Sequence, residues 1–458
     1  MVLQGLVFPT ERHLLQFRCV SVVLDDGALP EEDHLHGIHT TRKSSGEALR
    51  YPESINPAAG FHKTSNLLVS SGILSLAPSP EAPSLSLLFS LLLGLPIALW
   101  SYKCLMMVLF QRKIIYMGYI PPGSRQEKLS DIPNLSTLQR TYCLEEIRIQ
   151  SSDKVKLSAL VMSKKNAAEP NCVVLYLQGD FSNSSNSPSF DHHWTTAGNA
   201  GNPLHRIPVF TSLLSSTTQI NPVILAPAPR SYWSSTKRTP TQGGLLADYA
   251  SALRYAVKRW HGVPIVLYGH SLGGAVPVCL LASLDSDLRE EQDYRELRSA
   301  LRGMILENPF ASIPDMVRAL YPQSWLPYHY LAPLARDKWD ALSAMRDSAR
   351  VSASSSEASS SLPAGEDDSR HHSILPKLAR NMLVLVSSHD EVVPPSMGRA
   401  IFDARPAGAR NARDGGHGED RSRLVEIDGA LHEDAWRQLQ WRKETGRYLE
   451  DVVRMGRR

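Results

Sequence analysis

Val263-Pro264-Ile265-Val266-Leu267-Tyr268-Gly269-His270-Ser271-Leu272-Gly273-Gly274 is the stretch whose reading decides the fold. A short apolar, β-branched run enters a Gly-x-Ser-x-Gly pentapeptide, and small helix-compatible residues from Ala275 to Ala282 leave it. Strand, sharp turn and helix in that order are the context of a nucleophile elbow, which lifts a serine hydroxyl clear of its own backbone. Glycines flank Ser271 because such a turn is strained and leaves no room for a Cβ beside it. The pattern predicts an activated serine at Ser271.

Working outward, the chain after Tyr142 alternates strand and helix patterns. Cys143 to Gln150 and Val155 to Met162 predict a hairpin around Ser151-Ser152-Asp153-Lys154. Cys172 to Leu177 and Pro222 to Ala226 are continuous apolar runs suited to strands buried on both faces. Gly244 to Trp260 has helical spacing, with Leu245, Leu246, Tyr249, Leu253 and Val257 on one face. Gly303 to Glu307, Asn381 to Ser387 and Arg423 to Ile427 complete the strands, and Glu433 to Val453 predicts a closing amphipathic helix. The alternation predicts an α/β fold, a mostly parallel sheet with helices on both faces. With the elbow in it, this is the α/β-hydrolase layout, expected over residues 141–453.

That layout orders the chemistry as Ser, then Asp or Glu, then His. A serine hydroxyl needs a base, and the base needs a carboxylate to orient it. Asp390 in Ser387-Ser388-His389-Asp390-Glu391-Val392-Val393 stands at the turn leaving a strand and is the expected acid, with Glu391 as alternative. His432 follows the last strand and is the expected base. His270 reads as a residue packing the turn, and His192-His193 and His371-His372 fall in polar insertions. No histidine has carboxylates at metal-ligand spacing, so neither metal nor cofactor is called for. The oxyanion of an acyl-transfer intermediate would be bound by the backbone N–H of Leu272 and a second donor from the loop after Cys172 to Leu177. Asp180 to Ala197 interrupts that connection, which is usually about 2 to 6 residues long, so the expected donor is Asn199, set in the small-residue stretch Gly198-Asn199-Ala200-Gly201-Asn202, with Asp180 as the alternative.

Composition bounds the rest. At 458 residues, 42% hydrophobic and 21% charged, the chain can bury a large core, and a net charge of +3 is too small to suggest nucleic acid. Cys19, Cys104, Cys143, Cys172 and Cys279 are scattered and form no metal or disulfide pattern. Residues 1–81 lack periodicity and predict a poorly ordered tail without a cleavable signal. Ala82 to Tyr102 carries no charge and ends in Trp100 and Tyr102 before Lys103, as a single membrane span does. Lys103, Arg112 and Lys113 follow it, which favours a cytosolic C-terminal domain on an endomembrane, such as the endoplasmic reticulum, or on the plasma membrane. The sequons at Asn134 and Asn183 count only if the domain is lumenal. Residues 103–140 form a juxtamembrane segment, in which Gln111 to Arg125 reads as a strand and turn. Ser348 to His372 and Arg405 to Arg421 are low in apolar residues and predict disordered surface insertions. Between Glu307 and Ala344, Tyr321, Trp325, Tyr328, Tyr330 and Trp339 suggest either a small cap or helix packing.

Several stretches together resemble the membrane-anchored α/β-hydrolase-domain proteins, the group that includes the fungal bud-emergence-related hydrolase and its animal relatives. They are Phe110 to Tyr116, Gly198-Asn199-Ala200-Gly201-Asn202, Pro240 to Asp248, Gly269 to Gly274, Glu307-Asn308-Pro309-Phe310, Asp390 to Pro395 and Leu431-His432, and the resemblance covers roughly Leu105 to Arg447. It implies a Ser271–Asp390–His432 set. The chain departs from the family's pattern at two places: Gln178-Gly179 stands apart from Asn199, and Pro229-Arg230-Ser231-Tyr232-Trp233 replaces Tyr-Arg-Gly-Tyr-Gly. The expected function is a membrane-anchored serine hydrolase of acyl esters or thioesters, with a membrane-borne substrate. The alternatives are a catalytically impaired scaffold or a serine peptidase of the same fold.

Overall fold

The computed structural model describes residues 84–119, 123–178, 202–287, 292–359, 373–406 and 420–456. The expected tail, the 180–197 insertion with Asp180, Asn183 and its two histidines, Asn199, and most of the 348–372 and 405–421 stretches lie outside them.

In chain order the elements are α1 (Leu85–Leu109), α2 (Gln111–Ile115), α3 (Leu135–Thr141), β1 (Tyr142–Gln150), β2 (Lys156–Lys164), β3 (Cys172–Leu177), α4 (Ile207–Ser216), β4 (Pro222–Ala228), α5 (Gln242–Arg259) and β5 (Ile265–His270). They continue with α6 (Leu272–Asp287), α7 (Gln292–Ala300), β6 (Leu301–Glu307), α8 (Ile313–Leu320), α9 (Ala341–Ser359), α10 (Ile374–Ala379), β7 (Met382–Ser387), α11 (Pro395–Asp403), β8 (Arg423–Ile427) and α12 (Leu439–Gly456). Among the described residues the strands form one eight-stranded sheet in the order β1-β2-β4-β3-β5-β6-β7-β8. The β1–β2 hairpin adds to β4 antiparallel, and every other pairing is parallel.

The apolar runs explain the order. β3, β4, β5 and β7 are buried at every residue, as strands covered by helices on both faces must be. β1, by contrast, exposes five of its nine side chains, in alternation near its end, and stands at the edge. The chain runs from β3 out to β4 and then back to β5 on the other side of β3. That reversal opens a crevice at the carboxyl ends of β3 and β5, where ligands of open α/β sheets bind.

Four local expectations need correction. Gln111 to Arg125 keeps its turns, at 118–119 and from 123 on, but in place of the expected strand it begins with α2, which continues α1 after a single break at Phe110. Its burial of Gln111 and Ile115 against the body favours helix over extended chain. Residues 348–359 of the serine-rich stretch are helical rather than disordered, as the second half of α9. Ala341 and Met345 bury its first turns, and a nucleated helix propagates through Ser and Ala at little cost. The closing helix starts at Leu439, not Glu433. Asp434 instead accepts the Leu431 N–H at 2.7 Å, and Glu433 O accepts from Trp436 Nε1 at 3.0 Å, so the chain stays in a tight turn beside His432. The apolar helix α1 runs beyond Tyr102 and Lys103, the expected end of the span, to Leu109.

The segment at Pro229 to Trp233 is a packed knot. Arg230 pairs with Asp248 at 2.7 Å and with Asp153 at 2.8 Å, and the buried Trp233 indole donates to Glu127 O at 2.8 Å. These contacts tie the hairpin, the loop after β4 and α5 together.

Candidate active site

Ser271 follows β5 directly and precedes the first residue of α6. Its φ of 57° lies in the left-handed region that side chains rarely adopt. Two backbone bonds hold it there: its N–H donates to Glu307 O at 2.9 Å, and its carbonyl accepts from Gly274 N at 2.9 Å. A Cβ on Gly269 would stand 1.7 Å from Gly273 O, and one on Gly274 would stand 2.9 Å from Pro309. The glycines on this turn are therefore a steric requirement of the sharp return from strand to helix. Leu272, as the first residue of α6, has an N–H with no carbonyl one turn back to accept it. The unpaired N–H groups and positive dipole end of a helix N-terminus favour negative charge beside them.

His432 and Asp390 meet at the end of the sheet. His432 Nδ1 lies 2.7 Å from Asp390 Oδ2, and both side chains are buried. The other carboxylate oxygen of Asp390 accepts from Val392 N at 2.8 Å and Val393 N at 2.7 Å, which fixes its rotation. Glu391, the alternative acid, does not reach the ring; it accepts from the His432 backbone N–H at 3.0 Å. Burial acts to lower the His432 pKa, but the hydrogen bond and charge of Asp390, with Glu433 and Glu391 beyond, outweigh it and raise the pKa above 6.5. His432 Nε2 and Ser271 Oγ are each buried without a hydrogen-bond partner. Unpaired buried polar atoms are costly, and at a site they mark where a reacting group fits.

Three residues that sequence reasoning did not link to His432, among them His270 read only as packing the turn, hold it in place. Its carbonyl accepts from His270 Nε2 at 2.9 Å and from Asn308 Nδ2 at 2.9 Å. With its Nε2 donating, His270 offers Nδ1 as acceptor to Arg206 Nη2 at 2.7 Å. Burial, and then the Arg206 charge, push the His270 pKa well below 6.5, so this imidazole stays neutral. Arg206 is in turn paired with Glu433 at 2.9 Å. Asn308 also accepts from Ser387 N at 2.7 Å, bridging β6 to β7. Beneath the elbow, Glu307 is fully buried and accepts from Tyr268 OH. Burial pushes its carboxyl up to about 7, against the downward pull of Tyr268 and Arg206. The only sequence signal for Asn308 was its place in Glu307-Asn308-Pro309-Phe310, where an Asn tolerates the left-handed φ of 46°.

Gln178, at the end of β3, is buried with both side-chain amide atoms unpartnered. It stands one residue beyond the Leu177–Gly269 pairing of β3 and β5. Asn199 and Asp180, the two candidates for the second oxyanion donor, lie outside the described residues. Among the described residues, His270, His432 and Glu433 place potential metal ligands within 4.8 Å of one another. Both His270 ring nitrogens are already bonded, and the Arg206 guanidinium fills the cationic position beside Glu433.

A mostly parallel sheet whose central strand ends in a strained serine, with a His–Asp pair beyond its last strands, defines an α/β-hydrolase-fold protein. Sequence comparison agrees. Over 215 residues the chain is 29% identical to protein bem46 of Schizosaccharomyces pombe (strain 972 / ATCC 24843), covering 46% of this chain and 58% of that protein. Over 222 residues it is 28% identical to the alpha/beta hydrolase domain-containing protein WAV2 of Arabidopsis thaliana, covering 47% and 57%. The chain is thus similar in sequence to α/β-hydrolase-domain proteins. It spans a little over half the length of these curated relatives. No protein-family model matches it. Among solved structures, the Pyrococcus furiosus esterase Pf2001 aligns with a TM-score of 0.41 at 16% identity, covering 70% of this chain and 94% of that one.

Proposed function

We propose that the protein is a membrane-anchored serine hydrolase that cleaves acyl esters or thioesters through Ser271, His432 and Asp390. The observation that carries this reading is the pair of buried, unpartnered atoms, Ser271 Oγ and His432 Nε2, with Asp390 bonded behind the imidazole. Asp390 on Nδ1 fixes the tautomer in which Nε2 carries the lone pair. Nε2 then takes the Ser271 proton as Oγ attacks the acyl carbonyl carbon. The oxyanion forms against the Leu272 N–H at the start of α6. Collapse breaks the bond to the leaving alcohol or thiol, which leaves with the proton from Nε2. Water repeats the cycle: it attacks the acyl-enzyme, gives its proton to Nε2, and releases the acid and Ser271.

The anchor belongs to the same reading. α1 is 25 residues long, contains an 18-residue stretch of mean hydropathy 1.8 and has no buried residue, long and apolar enough to cross a membrane. The cations after it favour a catalytic domain on the cytosolic side. Fluorophosphonate labelling of the full chain tests the nucleophile. Wild type should label and Ser271→Ala should not; labelling that survives the substitution would falsify the assignment. Turnover of acyl esters and thioesters, compared with aminoacyl amides, separates a hydrolase of acyl groups from a peptidase. Labelling without turnover of any of them would leave a scaffold with a reactive serine.

A further inference from the structure

The excursion between α8 and α9 takes no part in the chemistry above, yet it turns large rings outward. Trp325 is 70% exposed and Tyr330 63%, although Tyr328 between them and Trp339 beyond them are buried. This segment, including the 3₁₀ stretch Pro327–Leu334, lies alongside α1 in register. Trp325 meets Trp100 with ring centroids 6.4 Å apart. Lys103 Nζ stands 5.1 Å over the Tyr328 ring. Gln111 Nε2 donates to Leu334 O at 3.2 Å, and Gln111 Oε1 accepts from Arg336 N at 2.6 Å. Residues 325–334 thus follow the last three turns of α1 for about 16 Å, at 1.5 Å of rise per residue. The far end is fastened by Arg112 to Asp337 at 3.0 Å and by Trp339 Nε1 donating to Tyr116 OH at 2.8 Å.

The charge pattern along α1 sets the depth of this contact. No charged residue occurs between Glu81 and Lys103, and no carboxylate occurs between Glu81 and Glu127. Lys103 therefore marks the headgroup level, with Arg112 and Lys113 beyond it, and Trp100 sits about one turn inside. By register, Trp325 reaches the depth of Trp100. An indole with an apolar body and a polar N–H is suited to that boundary.

The position in the fold matters as well. The excursion leaves β6 at its carboxyl end, the same edge at which Ser271 follows β5 and Asp390 lies three residues beyond β7. The chain behind α2 packs on that edge too, through Arg125 Nη2 donating to Ser235 O at 2.9 Å in the loop after β4. We infer that Trp325 and Tyr330 form a second membrane contact, set into the lipid interface beside α1. It holds the Ser271 edge of the sheet toward the bilayer, so that an acyl chain can be taken directly from lipid. The inference rests on the reading that α1 spans a membrane, and it names the partner surface that the reading leaves open.

The test uses the full chain in vesicles of phosphatidylcholine with a minor fraction of phosphatidylserine. With Cys19, Cys104 and Cys143 changed to Ala, an environment-sensitive fluorophore is placed by Ser324→Cys, which keeps Trp325, or by Ser299→Cys. Ser299 is exposed in the last turn of α7, at the amino end of β6 and so on the opposite edge. Flotation reports α1, and quenching by doxyl lipid against aqueous iodide reports the second contact. Expected is a floating protein whose 324 label loses iodide quenching and gains doxyl quenching, while the 299 label does the reverse. Adding Trp325→Ser and Tyr330→Ser should return the 324 label to iodide without loss of flotation. A floating protein with both labels equally open to iodide overturns the docking contact and leaves the anchor standing. A protein that does not float overturns the anchor, and this inference with it.

Discussion

α1 and α6 have nearly the same kind of sequence and opposite fates. Both are apolar around most of their circumference, and each carries a proline inside, Pro96 and Pro277. Neither has the polar face of a helix half in water. Yet α6 is buried from Leu272 through Leu281 between β3, β5, β6 and neighbouring helices, whereas no residue of α1 is buried. A helix without a polar face must be covered all round, but its own residues do not say by what. The strand before α6 brings it into the sheet's cover, while α1 precedes the domain and, among the described residues, meets protein along its last turns; the proposal assigns the cover of the rest to a membrane. Ser271, the proposed nucleophile, immediately precedes the covered helix, and the proposed anchor is the uncovered one.

The sharpest way to separate the two is to disable what α6 presents without disturbing how it packs. Asp390→Asn should lower kcat by about 10⁴-fold, because the amide can hold His432 in the wrong tautomer. The pH profile of kcat/KM should change with it. His432 must be neutral to act as base, so wild-type activity is lost as pH falls through a pKa above 6.5. Removing the carboxylate that raises this pKa should move the residual acid limb to lower pH.

Charge insertion strikes the comparison directly. Val278 is fully buried in α6, and Val278→Arg should cost roughly 4–5 kcal/mol or more as an unpaired buried charge. It would be read as loss of cooperative unfolding. Leu92→Arg in α1 should instead oppose insertion by about 2.5–3.5 kcal/mol. It would be read as loss of carbonate-resistant membrane retention with an unchanged unfolding temperature of the domain. If both substitutions unfold the domain, α1 is a core helix and the contrast fails. The smallest effect falls on the clamp: Asn308→Ala removes one of two donors to the His432 carbonyl and should lower kcat roughly 10- to 100-fold through misplacement, with KM little changed. A change confined to stability would make Asn308 a structural bridge alone.

Much of this was legible along the chain because it depends on short-range pattern. Continuous apolar runs revealed the strands buried on both faces. The glycines around Ser271 revealed a turn too tight for side chains, and Asp390 and His432 stood at turns leaving strands. What was not legible depends on distance. His270 and His432 are 162 residues apart, Asn308 and His432 124, and Arg206 and His270 64. No local period records such contacts, and His270 read as a packing residue because its role lies in the loop beyond β8. The helical second half of α9 was missed for a related reason. Its composition is that of a disordered segment, and only packing at Ala341 and Met345 makes the helix form.

The sequence by itself determined the strand pattern, the strained serine turn, the order Ser271, Asp390, His432 and an uncharged stretch long enough to span a membrane. These follow from steric and hydrophobic rules that act between near neighbours. Tertiary structure alone decided that Asp390 rather than Glu391 meets the imidazole, that His270, held by Arg206, and Asn308 clamp the His432 backbone, and that Trp325 lies beside Trp100. Each of those choices is a difference of a few ångströms between groups far apart in the chain, which only the closed sheet and its packed helices can fix.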